Sequence, residues 1–228
     1  MQTRLLAYTI TVPDNLKAIG YEPHDFLTGV SQADELAEVA GRLCFKSWSR
    51  PNPATATNEG YLANIIKQGH FSVLEHASFT VHLRGVSRSL THELVRHRHL
   101  SYSQESQRYV DVSSFEVIFP PALDEDERSF LVSVAQHARD AYAELVDRLV
   151  ARGLERKQAR QAARSVLPNA TGTEIIVTGN IRAWRHVIQM RGSAQADAEI
   201  RILARHILQI ARALAPNSVQ DLEDVEED

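Results

Sequence analysis

From Asp124 to Val150 the apolar residues Phe130, Val134, Ala138, Ala141, Leu145 and Leu149 recur at three- and four-residue steps, the spacing of one face of a single long helix. An apolar face of that length has to be buried against other elements. The chain after it supplies helices. Glu155 to Leu167 reads as a second helix, ended by Pro168. Asn180 caps a third that carries Trp184, Ile188 and Arg191. About Gln195 to Leu214 forms a last one before Pro216. The chain before it is mixed. Leu5 to Val12 alternates as a strand, and Ser31, with Asp34 three residues on, caps a helix to about Leu43. Pro51 and Pro53 force a loop, and Thr57 or Asn58 opens a short helix stopped by Gly69. Ser78 to Gly85 alternates as a half-buried strand, and Ser87 or Ser89 caps a helix through His97. Val110 to Phe119 is a broken β-rich run, and Thr173 to Thr178 a short strand. Without a regular βαβ alternation, the expected class is α+β: a small mixed sheet with packed helices and a helix-rich C-terminal half.

Of the 228 residues, 43% are apolar and 24% charged, the make-up of an ordinary globular protein. No apolar run reaches the roughly 18 residues that a membrane-spanning helix needs. The opening MQTRLLAYTITVPD lacks the continuous apolar core of a secretion signal, so a cytoplasmic protein with no membrane partner is expected. Residues 1–216 are expected to form a single domain. The last eight residues hold six acids and no bases, so 217–228 reads as a solvated, mobile acidic tail. Removing those six charges from the net −4 leaves the body near +2. A single cysteine, Cys44, excludes an internal disulfide and a cysteine-rich metal site. It lies between Leu43 and Phe45 with no His within four residues, which reads as a buried structural thiol.

Positive charge is clustered. Arg84 to Arg108 holds five Arg against two Glu, and Arg152 to Arg191 holds seven Arg and one Lys against two Glu. No GxGxxG follows a strand and no GxxxxGK[ST] occurs, so a nucleotide would bind by another route. His92 and His97 are five apart, about 140° from sharing a helical face, so no metal site is expected. The stretch from His92 to Tyr109 is dense in donors that suit a phosphate; a capped helix followed by a polar loop fits it equally. Arg156, Arg160 and Arg164 form one helical stripe with Lys157 beside them, a pattern shared by exposed helix faces and nucleic-acid-binding surfaces. Asn180, Arg182, His186 and Arg191 fall on a strand–turn–helix, with Arg182 and His186 on one face.

Arg96-His97-Arg98, then seven residues, then Ser106 resembles the signature of the flavin-dependent thymidylate synthases, the ThyX family. GRLCFKSWS around Cys44, GHFSVLEHASF (69–79), SRSLTHELVRHRHLSYSQESQRYV (87–110), RKQARQAARSVLPNAT (156–171) and TGNIRAWRHVIQMR (178–191) resemble further blocks in the family's order. The resemblance implies methylation of dUMP to dTMP, with methylenetetrahydrofolate as carbon donor and FAD reduced by NADPH as hydride carrier. It also implies a homotetramer with active sites shared between subunits, and no nucleic-acid partner. For the flavin it points to Ser72, Arg96, His97, Arg98, Gln104, Asn180, Ile181, Arg182 and His186. For dUMP it points to Glu93, Leu94, Val95, Arg96, Gln104, Glu105, Ser106, Gln107, Arg108, Arg164 and Arg191, with Arg191 as the catalytic residue. Arg88 and Lys157 are further candidates that fit surface charge equally well. Many members carry Asn and Glu where this chain has Ser103 and Gln104, and an amide cannot act as a carboxylate base. Two other classes fit parts of the pattern: a nucleic-acid-binding module on the Arg156–Arg164 stripe, and a flavin- or nucleotide-binding regulator without turnover.

Overall fold

In the computed structural model, the structure describes residues 1–22, 29–50 and 52–226. Pro51 of the expected loop and the last two residues of the expected tail lie outside the described residues. Four strands, β1 (Gln2–Tyr8), β2 (Ser78–Ser87), β3 (Ser101–Gln104) and β4 (Gly172–Asn180), form one sheet in the order β1-β2-β4-β3. The sheet is antiparallel rather than mixed. Thr9 N–H bonds to Ser78 O at 2.9 Å, while Gly85 at the other end of β2 lies beside Met1. Among the described residues there are eight α-helices: α1 (Pro13–Ala18), α2 (Gln32–Phe45), α3 (Asn58–Lys67), α4 (Arg88–Leu94), α5 (Glu125–Ala151), α6 (Arg156–Ala163), α7 (Ile181–Arg191) and α8 (Ala198–Leu214).

Local capping chemistry sets most helix starts. The side chains of Ser31, Thr57, Ser87 and Asn180 each accept a backbone N–H of the following turn. Asp124 and Glu127 form a reciprocal capping box at the start of α5. Elsewhere the boundaries differ from the sequence expectation. The first strand stops at Tyr8, because Val12 is the N-cap of α1 and Pro13 takes its first position. The helix after Ser87 ends at Leu94 instead of His97, and Ser101–Gln104 is a strand rather than a turn. Of the β-rich run 110–119, only an isolated bridge between Val117 and Thr171 is regular.

The chain divides into two compact units. The first comprises Met1–Gln2, His82–Arg96 and Tyr102–Ile176. Its core gathers Val112, Phe115, Ala135, Tyr142, Val146, Ala159 and Ala163, so α5 buries a face centred on Tyr142 and Val146. Phe130 and Val134, expected on that face, are exposed. The second unit comprises Thr3–Val81, His97–Ser101 and Val177–Asp228. Here Trp184 of α7 stacks on Phe79 with centroids 5.1 Å apart, and α8 buries Ile200, Leu203, Ala204, Ile207, Leu208 and Ala211.

The C-terminal end is not the solvated tail that its composition suggests. Ser218, Val219, Leu222 and Val225 are buried, and Asp221 and Asp224 pair with Arg185 and Arg212. Apolar residues every third position anchor the segment, and its acids meet arginines of α7 and α8.

Candidate functional site

In the first unit, the junction between β2 and α4 builds a pocket. Ser87 Oγ accepts Leu90 N–H at 3.0 Å, which starts α4 and sets Arg88 at its first position. The backbone N–H groups of Arg88 and Ser89 bond to Thr171 O and Asn169 O. The resulting cavity of about 350 Å³ is lined by Arg88, Thr91, His92, Val95, Gln104 and Asn169. Gln104 Nε2 donates to Thr91 Oγ1 at 3.0 Å, fixing the amide at the wall. Arg88 Nη2 donates to Glu105 O at 2.8 Å, but its Nε is buried without a partner. Burial holds the Arg88 guanidinium below its usual pKa; Glu105 opposes this, and the neighbouring Arg164 cation adds to it. Two close cations and an unspent N–H make an anion-binding arrangement, since a phosphate would repay both costs. Arg108 also has a buried, unpartnered Nε. Its backbone N–H bonds to Ser106 Oγ at 3.4 Å, in a turn where Ser106 O accepts from Tyr109 and Val110.

In the second unit, Ala183, Trp184, Val187 and Ile188 bury one face of α7 and leave Arg182 and His186 exposed. Arg182 Nη1 pairs with Glu75 at 2.5 Å. At the end of the helix Arg191 Nε donates to His97 Nε2 at 3.0 Å, and the His97 and His186 rings meet edge-on at 5.4 Å. That donation makes Nε2 an acceptor, so the His97 ring is neutral with its proton on Nδ1. Burial, then Arg191 and His186, push its pKa down to about 4 from 6.5. The unfolded chain therefore binds this proton before the folded one does. Its contribution to stability is lost as pH falls from about 6.5 towards 4. In an NMR titration the His97 ring is expected to stay neutral down to about pH 4; a midpoint at or above 6.5 would contradict the bond to Arg191.

The break between the units falls inside the Arg96-His97-Arg98 motif. Most of the residues expected at dUMP (Glu93 to Arg96, Gln104 to Arg108, Arg164) belong to the first unit. Most of those expected at the flavin (Ser72, His97, Arg98, Asn180 to Arg182, His186), together with Arg191, belong to the second. Ser72, Arg96, Arg98 and Arg164 are exposed, whereas Glu93, Glu105, Ser106 and Gln107 are half-buried. Leu94 and Ile181 are core side chains, and Ile181 N–H is spent on Ala77 O. Thr91, His92 and Asn169 line the pocket without having been expected there; a polar residue inside an apolar helix pattern was the available signal for the first.

Two expectations change. Cys44 is exposed, not buried: α2 turns Asp34, Ala37, Glu38, Gly41 and Arg42 inward, which puts Leu43, Cys44 and Phe45 on its outer side. The Arg156–Arg164 stripe is also partly spent. Arg160 donates to Tyr109 O at 2.6 Å and to Asp111 at 2.8 Å, and Lys157 Nζ lies 4.5 Å from the Tyr109 ring centre.

The fold is α+β, and its polar pocket carries one arginine, Arg88, in the wall. A profile of the family described as "Thymidylate synthase complementing protein" matches residues 26–217. The flavin-dependent thymidylate synthase of Mycobacterium marinum is 54% identical over 205 residues, spanning 86% of this chain and 82% of the relative. The enzymes of the same name from Mycobacterium bovis and Mycobacterium tuberculosis are 56% identical over 197 residues, 82% of this chain and 79% of theirs. The chain belongs to the flavin-dependent thymidylate synthase family, and it is an enzyme.

Proposed function

We propose that the protein methylates C5 of dUMP to give dTMP, with methylenetetrahydrofolate as carbon donor and FAD reduced by NADPH as hydride carrier. The observation that carries this reading is the pocket where Arg88 keeps a buried, unpartnered Nε beside the Arg164 cation. A nucleotide phosphate meets both needs. Arg108, with its own unpartnered Nε, and the turn at Ser106 would complete that hold. Gln104 and Thr91 present a fixed amide–hydroxyl pair to a polar ligand.

FAD fits the remaining residues: Ser72, Arg98, Arg182 and His186 offer exposed hydroxyl, guanidinium and imidazole groups suited to a pyrophosphate and a polar ring edge. Arg96, Asn180 and Ile181 would add to that set. When bound, the flavin supplies the hydride. Arg191 is the residue we assign to activating the uracil ring, since a cation at a pyrimidine carbonyl and N3 would stabilise negative charge there. His97, neutral and bonded to its Nε, fixes the plane of that guanidinium. Gln104 orients ligands but moves no proton, having no acidic group.

No enzyme cysteine takes part. Cys44 Sγ lies 3.4 Å from Ala40 O of its own helix, and the Arg191 route needs no thiolate. Residues 1–216, with the packed segment 217–226, act as one catalytic domain, in the cytoplasm. Exposed Leu5, Leu6 and Tyr8 on β1, and Phe130, Val132 and Val134 on α5, support burial of these faces in a homotetramer.

Purified protein should carry flavin absorbance and release tritium from [5-³H]dUMP only when the folate and NADPH are present. Cys44→Ala should keep turnover within about twofold of the parent. Flavin-loaded, folded protein that releases no tritium would sink the reading, and loss of turnover in Cys44→Ala would sink its cysteine-free route.

A further inference from the structure

Arg191 is the last residue of α7, where a helix has unsatisfied carbonyls and tends to fray. A guanidinium that must face a reacting ring needs that turn held still. The C-terminal segment grips α7 on both sides of it. Before Arg191, the nearly buried Arg185 donates from Nη1 to Ser218 O at 2.7 Å and to Asp221 Oδ1 at 2.6 Å. Its Nη2 donates to Asp221 Oδ2 at 2.8 Å, completing a bidentate pair. After Arg191, Val225 packs on Gly192 so closely that a Cβ there would come within 2.7 Å of Val225 Cγ2. Glycine at 192 is what lets the segment approach.

The segment is itself fixed independently of α7. Buried Asp34 of α2 accepts Ser218 N–H at 2.9 Å, Ser218 Oγ at 2.5 Å and Asn217 N–H at 3.0 Å. Arg212 of α8 donates to Leu222 O at 2.9 Å and pairs with Asp224. The segment is thus anchored to α2 and α8 while it holds α7.

We propose that residues 216–226 form a strap that positions Arg191, with Arg185, Asp221 and Val225 as positioning residues. The proposal rests on the role given to Arg191 above. The test compares the full-length flavin-bound enzyme with Asp221→Ala/Val225→Ala, with Asp221→Asn as a milder variant should the double one not fold, and with Asp221→Glu as the conservative one.

Two readouts are taken. In the double variant, kcat for tritium release should fall about tenfold or more while the KM for dUMP and the flavin content stay within about twofold. Asp221→Glu should recover most of kcat. By NMR, the His97 midpoint should rise from about 4 towards 6.5 as Arg191 is displaced from it. The strap is overturned if kcat and the His97 midpoint both match the parent. It is equally overturned if kcat and flavin content fall and KM rises together without recovery in Asp221→Glu. If the parent shows no turnover but the His97 midpoint moves in the strap variants, the strap stands and the catalytic role of Arg191 falls.

Discussion

Arg191→Ala is expected to lower kcat for tritium release from dUMP by about two to three orders of magnitude, the usual effect of removing one preorganised charge-stabilising donor. Flavin content should change little, because the flavin set proposed above (Ser72, Arg98, Arg182 and His186) does not include Arg191. Arg191→Lys should fall in between. An ammonium keeps the charge but loses the planar fork, and with it the fixed geometry of an Nε bonded to His97 at 3.0 Å. The same variants carry a second signature away from turnover. Arg191 is one of the causes of the low His97 pKa, so Arg191→Ala should raise that midpoint while Arg191→Lys moves it less. Full turnover in Arg191→Ala with bound flavin would remove this residue from the chemistry. An unmoved His97 midpoint would instead show that the two side chains do not meet in solution.

What the sequence disclosed about fold and site follows the range of the forces involved. The caps are bonds across three residues: those at Ser31 and Asn180 could be read directly, those at Thr57 and Ser87 only to within two residues, and the Asp124–Glu127 box emerged from the structure. Strand β3 could not. SYSQ has no apolar alternation, and it is a strand because β4 offers it backbone partners. The expected run of α4 to His97 failed because Arg96 N–H bonds back to Glu93 O and tightens the turn beyond Leu94.

Residue type also says little about which way a side chain faces. Cys44 and Phe130 are apolar yet exposed, while Asp34, Glu38 and Arg42 are charged yet buried. At the C-terminus, composition suggested solvation, but Val219, Leu222 and Val225 at three-residue spacing signalled an anchored segment. At the site, the motif and the arginine blocks were legible as types. That Arg88 has a buried, unspent Nε was not, because its partners come from α4, the turn after β3 and the chain before β4.

The buried charges on α2 lead to the largest expected change in stability. Glu38 is fully buried and Arg42 is 2% exposed, joined Nε to Oε1 at 2.5 Å. Glu38 Oε2 also accepts Asn58 Nδ2 at 2.9 Å and Tyr21 OH at 3.4 Å. Arg42 donates to Ser47 O at 3.2 Å and Thr55 O at 2.6 Å, and its guanidinium lies 4.3 Å from the Tyr61 ring centre. Truncating one partner leaves the other's charge short of its main counter-ion in a dry setting. Arg42→Ala should therefore cost about 3–5 kcal/mol. For a chain of this size that corresponds to a Tm lower by about 10 °C, read at matched protein concentration. Glu38→Ala should cost a similar amount. The double replacement Glu38→Leu/Arg42→Met should cost less than the two single losses together, since neither member of the pair outlives the other and only the partly exposed Arg50 loses a counter-ion, at 3.4 Å. It should still not reach parental stability, because Asn58, Tyr21 and the carbonyls of Ser47 and Thr55 each lose one hydrogen bond. Denaturant unfolding of the four proteins decides the matter. Single variants within about 1 kcal/mol of the parent would mean that water or another group reaches the pair, and that the network on α2 does not hold this part of the fold.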